Sequence, residues 1–200
     1  MGAAARARAV HVKANVAGMW RLAAFLRGMN VGGRRLTNEE LRARFVEMGF
    51  QDVASFRASG NVVFADRSRG GGPSAVAEHI EQGLAASLGY AVPTFIRTGE
   101  EVRAIAATAP FAQADVRASA GKLQVALLSQ PPARRVREEV LSLAGAQDRL
   151  AFGERELYWL PSGGILDSPL DLKAVERLLG PMTVRTKNTI EQIASRHFPE

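Results

Sequence analysis

"VASFRASGNVVFA", residues 53–65, is two apolar runs joined by Ser59-Gly60-Asn61. Glycine and asparagine accept positive φ without the strain other residues meet, so this turn between β-branched and aromatic residues predicts a hairpin. The flanks then fall into place. Upstream, "TNEELRARFVEMGF" (37–50) sets Leu41, Phe45, Met48 and Phe50 at helical spacing. Thr37 or Asn38 caps its start and Gly49 closes it. Before it, "WRLAAFLR" (20–27) is a short apolar run that reads as a buried strand. Downstream, "SRGGGPS" (68–74) is a loop whose Pro73 suits a first helical turn. "AVAEHIEQGLAASLG" (75–89) is a helix ending at Gly89, "VPTFIRT" (92–98) a strand, and "GEEVRAIAATA" (99–109) a helix leading out.

The second half repeats this order without repeating its sequence. "KLQVALLS" (122–129) reads as a strand and "PARRVREEVLSLAG" (132–145) as a helix. "RLAFGERELYWLP" (149–161) is a hairpin turning at Gly153-Glu154, which leaves Glu154 and Glu156 in water. "SPLDLKAVERLLG" (168–180) is a helix with Ser168 as cap, Pro169 at its first position and Gly180 past its end; Asp167 and Asp171 serve that start electrostatically. "MTVRT" (182–186) is a last strand and "KNTIEQIASRHF" (187–198) a closing helix. Strand-helix-strand-strand-helix-strand is the ferredoxin-like unit. The expected fold is α+β, a tandem duplication of two ferredoxin-like (βαββαβ) subdomains with mainly antiparallel sheets. Residues 1–18 form a disordered basic extension, 19–110 the first subdomain and 111–200 the second. In this topology the first and third strands are central antiparallel neighbours, so the segment from Arg27 to Gly33 should meet Ser59-Gly60-Asn61 at one corner.

Composition excludes several chemistries. There is no cysteine, which removes disulfides, zinc-thiolate sites and thiol nucleophiles and fits a reducing cytoplasm. No stretch approaches the ~20 uninterrupted apolar residues of a membrane span, so no membrane partner is expected. Net charge is +6, but residues 1–18 hold three of the 26 basic residues and none of the 20 acidic ones. The rest is mixed in sign without the clustering of a nucleic-acid footprint. Tyr158 and Trp159 read as core and rim of a sheet, not as a stacking platform, so nucleic acid is the less favoured partner. The three histidines, His11, His79 and His197, have no metal-ligand spacing, and no metal or cofactor is expected. Ser119-Ala-Gly-Lys122 matches S-x-x-K without its partner motifs.

One loop stands out. Gly28-Met-Asn-Val-Gly-Gly33-Arg34-Arg35 is a near miss to the phosphate loop G-x-x-x-x-G-K-[ST], with Arg34 for the lysine and Arg35 for the metal-ligating hydroxyl. An NTPase and, without G-x-G-x-x-G, a nicotinamide enzyme are rejected. What survives is a glycine-rich turn at a helix N-terminus, where an anion gains ~0.3–1 kcal/mol from the helix dipole. Charge-assisted contacts from Arg27, Arg34 and Arg35 add about 1.5–3 kcal/mol each if desolvated. The alternative is that the glycines only supply positive φ and the arginines sit in water. Neither a nucleophile–base pair nor an oligomeric state can be named. If there is an enzyme, its polar groups are Ser59, Asn61, Arg27 and Asn188.

"AFLRGMNVGG", "SGNVVF" and "TVRTKNT" resemble the signatures of a bacterial family known as domain of unknown function 1697, over about Trp20 to Ala194. The resemblance implies a duplicated α+β architecture and no established activity. Its pattern covers Arg27, Gly28, Asn30, Val31, Gly32, Gly33, Ser59, Gly60 and Asn61, then Thr183, Arg185, Asn188 and Thr189. The family's usual Asn-Trp pair is replaced by Thr186-Lys187, and its glutamine by Ala58. The candidate ligand set is therefore Arg27, Gly28, Asn30, Gly32, Gly33, Arg34, Arg35, Ser59, Gly60, Asn61, Arg185, Asn188 and Thr189, for a small anionic ligand, phosphorylated ones among the candidates.

Overall fold

The computed structural model describes residues 19–29, 36–57, 60–67, 71–119, 122–145, 148–163, 165 and 168–199. Residues 1–18, Asn30, Gly32, Gly33, Arg34, Arg35 and Ser59 lie outside them, so the expectations for the extension and most of the glycine loop fall there.

The first half runs β1 (Trp20–Leu26), α1 (Asn38–Glu47), β2 (Gln51–Ser55), β3 (Asn61–Asp66), α2 (Gly72–Leu88), β4 (Thr94–Thr98) and α3 (Gly99–Ala107). A short α4 (Gln113–Ala118), not foreseen in the sequence, joins it to the second half. That half runs β5 (Gln124–Leu128), α5 (Arg134–Ser142), β6 (Arg149–Phe152), β7 (Glu156–Leu160), α6 (Leu172–Leu179), β8 (Met182–Thr186) and α7 (Lys187–His197). Each half builds one four-stranded antiparallel sheet, in the orders β2-β3-β1-β4 and β6-β7-β5-β8.

Local chemistry places the helices. Thr37 and Glu40 close a capping box at α1, with Leu41 and Phe45 one turn apart on the buried face. Pro73 opens α2, whose Val76, Ile80 and Leu84 repeat every fourth residue toward the sheet. Thr98 and Thr186 each end a strand and cap the next helix, so α3 and α7 leave their sheets with no intervening loop. At α6 the expected start is corrected. Asp171 is the cap, its carboxylate accepting from the amides of Lys173 and Ala174. Ser168 instead donates its hydroxyl to the buried Asp148 and accepts the Leu170 amide at 3.1 Å, a turn ahead of the helix that leaves Pro169 outside it.

Side chains alternate along β1, and the alternation divides the interior. Leu22, Ala24 and Leu26 face α1 and α2, packing with Phe45, Ile80 and Leu84. Ala23 and Phe25 face the other way, into a core shared by both halves. There Phe95 and Val63 of the first sheet meet Val125, Leu127 and Tyr158 of the second, with Val102 and Ile105 of α3 and Ile190 and Ile193 of α7. Ala126, Leu128 and Trp159 face α5 and α6 in a third core. Burying each large apolar side chain contributes about 1.5–3 kcal/mol. Both sheets are thus covered on both faces, which is why the central strands read as unbroken apolar runs. No described helix is long and apolar enough to cross a membrane.

Candidate functional site

β1 ends where β3 begins. Phe25 pairs with Asn61, and the Leu26 amide donates to the Gly60 carbonyl at 2.8 Å. The turn therefore crosses directly over the end of β1. Gly60 has φ +68°, and a Cβ there would stand 3.1 Å from that of Leu26. Asn61 holds the turn closed: its side-chain amide donates to the Phe56 carbonyl at 3.0 Å, while the Phe56 amide donates to the Asn61 carbonyl at 2.9 Å.

Arg185 enters this corner from β8 of the second half. Its Nε donates to Asn61 Oδ1 at 2.6 Å and its Nη2 to the Leu26 carbonyl at 2.7 Å. Nη1 donates to Thr183 Oγ1 and to the Val184 carbonyl, both at 2.8 Å. Burial pushes its guanidinium down to about 10. Beside it, Arg27 forms a two-pronged ion pair with Glu176 of α6.

The second sheet carries the same device. Arg97 of β4 crosses to the end of β5, donating from Nη2 to the Leu128 and Arg155 carbonyls and from Nη1 to its neighbour's, Ile96, all at 2.9 Å. The Leu128 amide donates to the Arg155 carbonyl at 2.9 Å, as Leu26 does to Gly60. The first residue of β7, Glu156, takes Arg97 Nε at 2.9 Å, where the first residue of β3, Asn61, takes Arg185 Nε. Arg97 is 0% exposed. Burial and the charge of Arg155 lower its guanidinium, and Glu156 opposes that. The two corners share the arginine that donates to the end of the opposite sheet's first strand, and at the partner of its Nε a carboxylate in the second stands against a neutral amide in the first. Glu156 is therefore not in water as its place beside a hairpin turn suggests; Arg97, from the other half, draws it inside.

The family described as Protein of unknown function (DUF1697) matches residues 19–158. The chain belongs to the DUF1697 family. A solved structure of a conserved bacterial protein from Streptococcus pneumoniae is similar over 88% of this chain and 97% of its own, with a TM-score of 0.70 and 21% identity. Among curated proteins none matches. The "TVRTKNT" stretch lies beyond the family match, so in this DUF1697 chain the placement of Arg185 rests on the structure.

Of the expected ligand set, the DUF1697 fold brings Arg27, Gly28, Gly60, Asn61 and Arg185 to one corner, with Gly28 at φ +74°. Arg27 is half-buried and paired with Glu176. Thr189 is buried on the first turn of α7, its amide and hydroxyl spent on Thr186 Oγ1. Asn188 is exposed and accepts from Gln192, which in turn accepts from Arg57 beside the hairpin turn. Neither Asn188 nor Thr189 hydrogen-bonds to Arg27, Gly60 or Asn61 among the described residues. Arg97 and Glu176 are absent from the sequence reading, and Glu156 enters it only as a solvated turn residue. The signal for Arg97 is the shared "RT" that ends a strand in both "FIRT" and "TVRT".

Proposed function

We propose that this protein is a binding module for a small anionic ligand of the phosphate class, held at the corner of β1, β3 and β8 on two ferredoxin-like halves that divide between residues 110 and 111. The observation that carries the reading is Asn61 standing where the equivalent corner has Glu156. A carboxylate there would oppose an incoming anion; a neutral amide adds no negative charge of its own. The stretch between Met29 and Leu36 carries, by sequence, Gly32, Gly33, Arg34 and Arg35. A glycine-rich turn ahead of the capped α1 supplies amide donors and the positive end of a helix dipole, and arginine supplies bidentate contacts. The strand orders, with β1 and β3 central, support the ferredoxin-like description.

The test is thermal shift of the full chain with inorganic phosphate and pyrophosphate against chloride at equal ionic strength. The expected result is a rise in Tm that is lost in Arg34→Ala/Arg35→Ala and in Asn61→Asp. No rise above chloride, or a rise that survives Asn61→Asp, sinks the proposal. Binding of single-stranded RNA that weakens steeply with salt would transfer the corner to nucleic acid instead.

A further inference from the structure

We propose that a second ligand site, independent of the corner, lies between α4 and the start of α7 and takes an amphipathic anion: an acidic head on an apolar or aromatic body. A cavity of about 610 Å³ opens there, inside the size range of small-molecule sites. One wall is apolar. Phe111, Val116 and Leu123 line it and are only partly buried, so they present hydrocarbon to the cavity rather than to the core alone.

The other wall is cationic. The Lys187 side chain is 10% exposed and lines the cavity. Its ammonium donates to the Ala106 carbonyl at 2.6 Å and to Glu191 Oε1 at 2.8 Å. An ammonium has three hydrogens, and the third has no acceptor among the described residues. Lys122 stands exposed at the rim with no ion-pair partner among the described residues. Lys187 and Asn188 also form the first turn of α7, an 11-residue helix whose positive end meets the cavity. The single carboxylate of the lining, Glu191, is already committed to Lys187. An acidic group placed against Lys187 gives its third hydrogen a charged acceptor, while a hydrocarbon or cationic ligand does not. The body of the ligand then covers Phe111, Val116 and Leu123. A purely inorganic anion would leave that wall wet, which separates this site from the corner.

The experiment is a fluorescence titration of the full chain with anilinonaphthalene sulfonate and with phenylnaphthylamine, which has the same ring system without the acid. The sulfonate is expected to bind at a single site, tenfold or more tighter than the amine, as a charge-assisted hydrogen bond implies. Val116→Trp, on a helix with no buried residue, fills the cavity and is expected to abolish binding. Lys187→Met and Lys122→Glu are each expected to weaken the sulfonate roughly tenfold. Should Lys187→Met fail to fold, Lys122→Glu decides. Equal affinity for the two probes, unchanged binding in Val116→Trp, or unchanged binding in Lys122→Glu overturns the proposal. So does loss of binding in Arg34→Ala/Arg35→Ala, which would assign the probe to the corner.

Discussion

Arg97 and Arg185 hold equivalent places in the two sheets, and each crosses to the half that does not contain it, donating to the carbonyl of the leucine that ends that half's first strand. The duplication is thus a reciprocal clasp as well as a repeat. Each arginine satisfies backbone carbonyls at the mouth of the opposite sheet, where a strand stops pairing and its acceptors would otherwise be buried without donors.

The clasp predicts an asymmetry in stability. Glu156→Leu leaves the Arg97 cation buried without its carboxylate and should cost about 3–5 kcal/mol in urea unfolding. Arg185→Met removes donors from Leu26, Asn61 and Val184 but breaks no carboxylate pair with Asn61, so its cost should be nearer 1–3 kcal/mol. The reverse ranking would show that the carboxylate at the second corner is not what holds the halves together.

Acid titration isolates a second contact across the halves. Burial raises the Glu101 carboxyl, but the Thr98 amide and the Arg155 guanidinium outweigh it and hold the group below its ordinary 4.5. A depressed folded-state value contributes stability that is full above the unfolded value and is lost as pH falls through the folded one. Glu101→Gln keeps the capping box at α3, because glutamine also serves that position, and removes only the charge. The stability gap between wild type and Glu101→Gln is therefore expected to be constant near neutral pH and to close below pH 4.5. A gap that persists unchanged into acid would mean the carboxylate charge contributes nothing.

Gly28 and Gly60 separate backbone strain from crowding. Both have positive φ, +74° and +68°. An alanine Cβ at Gly28 meets nothing within 4 Å, whereas at Gly60 it stands 3.1 Å from Leu26 Cβ and 3.3 Å from the Leu26 carbonyl oxygen. Gly28→Ala should cost about 1–2 kcal/mol for the left-handed conformation alone, and Gly60→Ala measurably more. Equal melting temperatures for the two variants would show that the turn can move off β1.

How much of this was legible in the sequence depends on range. The strands and most helix ends are written locally, in apolar runs, Thr37, Pro73 and the closing glycines, so the order of elements apart from α4 and the meeting of the β1 end with Gly60 follow from them. Ser168 misleads because it closes a turn with the Leu170 amide, anchored by Asp148 twenty residues away in sequence, while Asp171 takes the cap. Glu156 misleads for the same reason at longer range: a glutamate beside a turn is ordinarily wet, and the arginine that buries it lies in the other half. α4 has no buried residue and so no amphipathic pattern to read. The cavity lined by Lys187 joins segments from three parts of the chain, and no local pattern marks it.

The Arg27–Glu176 pair tests whether the corner is held open or closed by charge. Both side chains are about a third exposed, at 38% and 35%, so the pair should be weak, about 0.2–1 kcal/mol in a double-mutant cycle, and weaker still in high salt. Its greater effect should fall on anion affinity. With Glu176 engaged, Arg27 is neutralised toward any ligand at the β1 corner; Glu176→Gln releases that charge without removing the hydrogen-bonding side chain. If the corner takes phosphate, Glu176→Gln should raise the phosphate-induced thermal shift while leaving the Tm in chloride nearly unchanged. Arg27→Ala should then leave the shift of the wild type almost as it was, because the charge it removes was already cancelled. A fall in the phosphate response on Glu176→Gln would mean that the ion pair shapes the corner rather than competing with the ligand.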